Sequence, residues 1–79
     1  MNRQIANRQI ATCVVCDGPY PEQDKWGDEF PTWVVAVCDE DGEPVGKTYT
    51  CFSFEKAQGL ARNMARDRKL EFVNDASPA

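Results

Sequence analysis

The chain has 79 residues, of which 42% are hydrophobic and 28% charged, and this is the composition of one small globular domain. It contains no histidine, which excludes the Ser-His-Asp and Cys-His arrangements of hydrolases. Its net charge is −4, and no apolar run reaches the length of a signal peptide or a membrane span. We therefore expect a cytoplasmic, non-enzymatic protein whose four cysteines are thiols.

The chain begins with a five-residue repeat, Asn-Arg-Gln-Ile-Ala, at residues 2–6 and again at residues 7–11. A period of five matches neither a helix face nor a strand face, which favours a loosely ordered extension. The alternative is a segment that becomes ordered when it binds a partner. We predict a flexible extension over residues 1–9, a single α+β domain over residues 10–74 and a disordered tail over residues 75–79.

Residues 10–16 are rich in β-branched side chains and predict a first strand. The turn formers Asp17, Gly18 and Pro19 follow, and residues 17–31 contain three prolines and three aromatic residues. This composition predicts a long loop. Its aromatic residues either cover one face of a sheet or form a binding surface.

Residues 32–38 predict a second strand and residues 45–52 a third, joined by an acidic turn. The Asp-Gly pair at 41–42 is a strong hairpin signal, because glycine accepts positive φ. Two registers are compatible with this hairpin, since the length of the turn is undetermined.

A two-residue turn places Trp33 opposite Thr50 and puts Cys38 and Cys51 on one face of the sheet. A three-residue loop with a glycine bulge places Trp33 opposite Tyr49 and sends the two cysteines to opposite faces.

The only clear helical pattern covers residues 54–69. Ser53 is a suitable N-cap, and Glu55 lies in the first turn, where the helix dipole favours an acid. Its apolar stripe consists of Ala57, Leu60, Ala61, Met64 and Ala65. With a fourth strand at residues 70–73, these elements predict an α+β fold. We expect a small antiparallel sheet of three to four strands, in the order β-β-β-α-β, with one helix packed on one face.

Part of this order resembles a known group of domains. A strand with Trp33, a charged turn, another strand, the segment Phe-Ser-Phe-Glu-Lys-Ala at 52–57, a helix and the segment Leu-Glu-Phe-Val at 70–73 follow one another. The pattern resembles small β-β-α-β domains of unknown function from bacterial, plasmid and phage genomes, and it covers residues 32–74. The resemblance implies a fold and no catalytic residues. Small acidic proteins of this size also occur among phage inhibitors of host defence, including anti-CRISPR proteins, but this class analogy shares no motif.

The cysteines allow one alternative. Cys13 and Cys16 have the spacing of a zinc knuckle, and a four-thiolate zinc site would also need Cys38 and Cys51. Valines separate the first pair, which favours a strand with the two thiols on opposite sides. We therefore expect no cofactor, and a zinc-stabilised module remains the alternative. A redox pair is disfavoured because no helix follows the second cysteine of the Cys-x-x-Cys motif.

Acidic residues are concentrated in one part of the chain. Residues 17–43 carry nine acids and one base, whereas residues 44–69 carry six bases and two acids. We predict that the acidic part contacts a protein partner with a basic surface. The predicted partner-binding residues are Asp24, Trp26, Asp28, Glu29, Asp39, Glu40, Asp41 and Glu43.

The most specific form of this hypothesis is a phage or mobile-element inhibitor of a host nucleic-acid-handling defence complex. Such an inhibitor would act by covering a surface or by mimicking the charge of nucleic acid. Direct nucleic-acid binding through Arg62, Arg66 and Lys69 is disfavoured, because the sequence pI is about 4.6. A homodimer is compatible with so small a core.

Overall fold

The computed structural model describes residues 10–79, and the expected extension of residues 1–9 lies outside them. The elements are β1 (Cys13–Gln23), β2 (Glu29–Cys38), β3 (Pro44–Cys51), α1 (Phe54–Arg68) and β4 (Glu71–Ala76). The predicted α+β class and the order β-β-β-α-β are confirmed. Within the described residues, α1 is too short and too polar to cross a membrane.

The four strands form one sheet in the spatial order β3-β2-β1-β4. β1 and β3 each pair antiparallel with β2, whereas β4 pairs parallel with β1. The sheet is therefore mixed rather than antiparallel throughout. Because β3 and β4 occupy opposite edges, α1 carries the chain across one whole face of the sheet.

The predicted apolar stripe packs α1 against that face. Ala57, Ala61 and Ala65 are buried in one cluster with strand residues, among them Val14 and Val35. The short alanine side chains allow the helix axis to approach the sheet closely. Trp33 closes one end of the cluster, where its ring meets the Phe54 ring edge-on at 6.3 Å between centroids.

The long loop predicted over residues 17–31 is wrong. Residues 20–23 pair with residues 29–32, and only residues 24–28 form a turn. We call this two-stranded projection, residues 20–32, the arm. β3 and β4 end beside the base of the arm, so each strand of the arm has a partner on one side only. A proline is tolerated in such an edge strand, because its missing N–H would have no partner on the open side.

The pairing of β2 with β3 differs from both predicted registers. Trp33 lies opposite Cys51, two residues beyond the Tyr49 that a three-residue loop predicts. The extra residues form a bulge at residues 45–47 of β3. Because a shift of two residues keeps every side chain on its face, Cys38 and Cys51 still point to opposite faces.

The C-terminal strand is longer than predicted. β4 continues to Ala76, so residues 75–76 of the expected disordered tail pair with β1. The Trp33 indole Nε1 donates a hydrogen bond to the Ser77 carbonyl oxygen at 2.9 Å. The Ser77 amide in turn donates to the Gly18 carbonyl oxygen at 3.1 Å. The chain therefore remains attached to the sheet through residue 77.

Candidate functional site

The sheet face turned away from α1 is not covered by any helix or strand of residues 10–79, and we call it the open face. Cross-strand register identifies its side chains. They are Cys13, Val15, Asp17, Tyr20, Glu22, Phe30, Thr32, Val34, Ala36, Cys38, Thr48, Thr50, Glu71, Val73 and Asp75. Phe52 adjoins them just after β3.

Charge is segregated between the two layers of the fold. The four strands of the described residues carry five acids and one base, Lys47, which lies in the bulge of β3. By contrast, α1 and its capping residue Lys69 carry five bases and two acids. The open face is consequently acidic, and the opposite layer is basic.

Aromatic side chains border a groove of about 410 Å³ where the arm meets the open face. We call it the aromatic groove; it is lined by Tyr20, Glu22, Phe30, Thr32, Val34, Thr50 and Phe52. The Phe30 and Phe52 rings lie 6.1 Å apart at 47°. Phe52 is 68% exposed and Tyr20 44% exposed, so large apolar surface lies beside a carboxylate. Such surface is typical of contact sites.

A hydrogen-bonded pair fixes Tyr20 at the edge of this groove. The Tyr20 hydroxyl donates to Asp17 Oδ2, and the Gly18 amide donates to Asp17 Oδ1 at 2.9 Å. The bond to the Asp17 carboxylate raises the pKa of Tyr20, with smaller contributions from burial and from the charges of Asp17 and Asp75. Tyr20 therefore stays protonated at neutral pH, and its ring is held in place.

A second groove of about 290 Å³ continues along the open face toward the turn between β2 and β3. Asp17 and Asp75, which are register partners on β1 and β4, both line it. No lysine or arginine lines either groove. Adjacent like charges on a sheet are unfavourable, so a cation that binds here would relieve their repulsion.

The two hairpin tips, at residues 24–28 and 39–43, are copies of one five-residue turn. In each, the Oδ1 atom of the first aspartate accepts hydrogen bonds from the amides two and four residues later, at 2.9–3.0 Å. The fourth residue is a glycine, with φ of 88° at Gly27 and 84° at Gly42. Asp24 and Asp39 therefore use one carboxylate oxygen to build their own turns.

The structure separates the predicted partner-binding residues into two groups. Asp24, Trp26, Asp28 and Glu29 lie at the end of the arm, whereas Asp39, Glu40, Asp41 and Glu43 lie beyond the other end of β2. The ten residues of β2 span roughly 30 Å, so the two groups cannot meet one small ligand. The acidic open face lies between them, and a partner would have to cover it to reach both.

The sheet also divides the four cysteines, all of which are free thiols. Cys13 and Cys38 are register partners on the open face, whereas Cys16 and Cys51 point toward α1. This arrangement does not fit a four-thiolate zinc site. Within residues 10–79, no group of three or more cysteine or acidic side chains could hold a metal ion.

Two of the thiols have environments unlike those of a reactive pair. Burial raises the pKa of Cys16 and of Cys38, whereas a redox thiol needs a lowered pKa. The amide of Gln58 donates to Cys16 Sγ at 3.5 Å and to Asn74 Oδ1 at 2.7 Å. This buried polar group ties α1 to β1 and β4.

Two of the three basic residues considered for nucleic-acid binding, Arg62 and Arg66, contact neighbouring side chains of the fold. Arg66 donates to Asn63 Oδ1 at 2.8 Å and lies 3.9 Å from an Asp67 carboxylate oxygen. The Arg62 guanidinium lies 5.7 Å from the centre of the Phe72 ring. These contacts suit a solvated helix surface.

The sequence did not indicate that Asp17, Glu22, Phe52 and Asp75 belong to one surface. One signal was present: residues 24–28 and 39–43 share the pattern Asp, two residues, Gly, acid. If residues 24–28 are a hairpin turn, residues 20–23 and 29–32 on either side of it are predicted to be paired strands. Their alternation then places Tyr20, Glu22 and Phe30 on one face.

No family model, curated protein or solved structure matches the chain. The resemblance to small phage and plasmid domains therefore stays a prediction.

Proposed function

We propose that the protein is a non-enzymatic binding module that covers a basic surface of a protein partner. The open face would be its centre, and the two acidic turns would contact the partner at either end. The observation that carries this proposal is the segregation of charge. Asp17, Glu22 and Asp75 lie on an open face with exposed aromatic rings, and no base lines its grooves.

A basic protein surface is also where nucleic acid binds, because lysine and arginine neutralise phosphates. A module that covers such a surface would compete with nucleic acid without binding it. An inhibitor of a nucleic-acid-handling complex, such as a host defence complex, is the narrower form of this proposal. It rests on charge and on the size of the module.

The test uses a fluorescein-labelled peptide of alternating arginine and glycine, with anisotropy measured at about 150 mM salt. We expect saturable binding, which the pair Asp17→Asn and Asp75→Asn weakens about three- to tenfold, as loss of two exposed ion pairs would. The matched control, Glu55→Gln with Asp67→Asn, removes the same charge from α1 and should change affinity less than about twofold.

Competition completes the test. The wild-type chain should release a labelled single-stranded DNA from the same peptide, and the Asp17→Asn, Asp75→Asn variant should release less at equal concentration. Absence of saturable peptide binding, or equal weakening by the α1 control, would contradict the proposal. Direct binding of the DNA by the chain would instead favour the helix arginines.

A further inference from the structure

The geometry points to a particular occupant of the aromatic groove, and we propose that it binds an arginine side chain of the partner in preference to lysine. This inference rests on the proposed function, since it names the side chain that a basic partner would insert. It requires that the groove accept a flat, cationic and partly apolar group.

The shape of the groove suits a planar group. The Phe30 and Phe52 rings are tilted at 47° with 6.1 Å between centroids, so they contact each other and leave no space for a group between them. A planar group would stack on the exposed surface of Phe52. Phe52 is 68% exposed, and a ligand can therefore reach it without moving the fold. A guanidinium stacks on such rings with its plane, and it is more weakly hydrated than an ammonium group.

The charge of the groove selects a cation. Glu22 supplies a carboxylate to its lining, and no base lies among the lining residues to neutralise it. An apolar side chain in the groove would bury that carboxylate without a partner, which is costly. An arginine would satisfy both features, because its stem and plane cover the rings and its N–H groups reach the carboxylate.

The Tyr20 ring, the third in the groove lining, is held in place by its hydroxyl. The hydroxyl donates its hydrogen bond to Asp17 and therefore does not compete with a ligand as a donor to Glu22. Lysine gains less in such a site, since its ammonium keeps a tight hydration shell and offers no plane for stacking. The groove therefore discriminates between two side chains of equal charge.

The experiment compares two fluorescein-labelled peptides that differ only in arginine or lysine at every basic position, each spaced by glycine. We expect the wild-type chain to bind the arginine peptide about five- to tenfold more tightly. Phe52→Ala and Phe52→Leu should reduce this ratio to about one, and the leucine variant keeps an apolar side chain that supports the fold. Glu22→Gln should weaken binding of the arginine peptide.

Tyr49 supplies the matched control, because it is an exposed aromatic residue of β3 that lies opposite the core residue Val35 and does not line the groove. Tyr49→Leu should preserve the arginine-to-lysine ratio. Equal wild-type affinity for the two peptides, or a ratio unchanged by both Phe52 variants, overturns the inference. If the Asp17→Asn, Asp75→Asn variant still binds both peptides more weakly than the wild-type chain in that case, the proposed function is retained without the preference for arginine. If neither peptide binds, both proposals are wrong.

Discussion

Gly18 lies where the arm leaves the rest of the sheet, within the irregular segment between Asp17 and Tyr20 of β1. Its φ is 128°, a conformation that side chains rarely adopt. A Cβ atom at this position would lie 2.8 Å from the Thr32 carbonyl oxygen and 3.0 Å from the Trp33 ring. Any side chain would therefore push β1 away from β2 at the base of the arm.

We expect Gly18→Ala to lower the free energy of unfolding by at least about 2 kcal/mol, since backbone strain and a backbone clash act together. Gly59→Ala is the control. Gly59 is an exposed helical residue with open space around it, and alanine there should stabilise the protein by about 0.5–1 kcal/mol. Urea unfolding followed by far-UV circular dichroism measures both. Equal effects at the two glycines would contradict the assignment of strain to Gly18.

Roles set by near neighbours in the chain could be predicted from the sequence. The Ser53 hydroxyl accepts the Lys56 amide at 3.2 Å, as expected of an N-cap, and Ala57 is buried as its helical spacing predicts. Roles set by the fold of a turn could not. Asp24 stays a predicted partner contact, and its sequence context did not indicate that one of its carboxylate oxygens organises the arm tip.

Among the elements, α1 ends in a conformation that its sequence does not favour. Lys69 caps the helix with φ of 58° and ψ of 46°, in the left-handed region that glycine usually occupies. The following amide, that of Leu70, donates to the Ala65 carbonyl oxygen at 2.8 Å, so the cap is fully formed. Lys69 is therefore held in a backbone conformation that is unfavourable for a residue with a Cβ atom.

Lys69→Gly should consequently stabilise the protein by about 0.5–1 kcal/mol, or raise Tm by about 2–8 °C for a chain of this size. Lys69→Ala removes the same charge but keeps a Cβ atom, and we expect it to give no gain. Thermal unfolding monitored at 222 nm distinguishes the two variants. If both shift Tm equally, the effect arises from charge and the backbone explanation is wrong.

The helix was predictable because its caps and its stripe are local features, whereas the arm was not. Three prolines in residues 17–31 suggested a loop, since proline interrupts a ladder. That rule weakens where a strand has no outer neighbour, and nothing local indicates that β3 and β4 stop at the base of the arm. The bulge of β3 depends likewise on the whole sheet.

In the whole molecule, acidic residues that are close together in the sequence are spread over a wide surface. Residues 17–43 form the second half of β1, all of β2 and the two acidic turns, so their acids lie at both ends of the sheet and across its open face. Asp75, far away in sequence, joins Asp17 because β4 pairs parallel with β1. The sequence predicts an acidic surface, but its position follows only from strand order.

The C-terminal residues connect this surface to the core, because they close the end of the sheet at which the arm begins. The Trp33 side chain is 3% exposed, and its indole proton is satisfied by the Ser77 carbonyl. Removal of residue 77 would leave that buried donor without its acceptor and release the Gly18 carbonyl from the Ser77 amide. An unsatisfied buried donor costs about 1–3 kcal/mol.

Deletion of residues 77–79 should therefore lower the free energy of unfolding by about 1–3 kcal/mol. Deletion of residues 78–79 keeps an acceptor oxygen on Ser77 and should cost less than about 0.5 kcal/mol. Urea unfolding measures the difference, and hydrogen exchange of the Trp33 indole proton should accelerate only in the shorter chain. If both truncated chains match the full chain in stability and exchange, residues 77–79 are disordered, as the sequence predicts for residues 75–79. Loss of stability in the shorter chain alone means that the tail supports the base of the arm, and with it the aromatic groove.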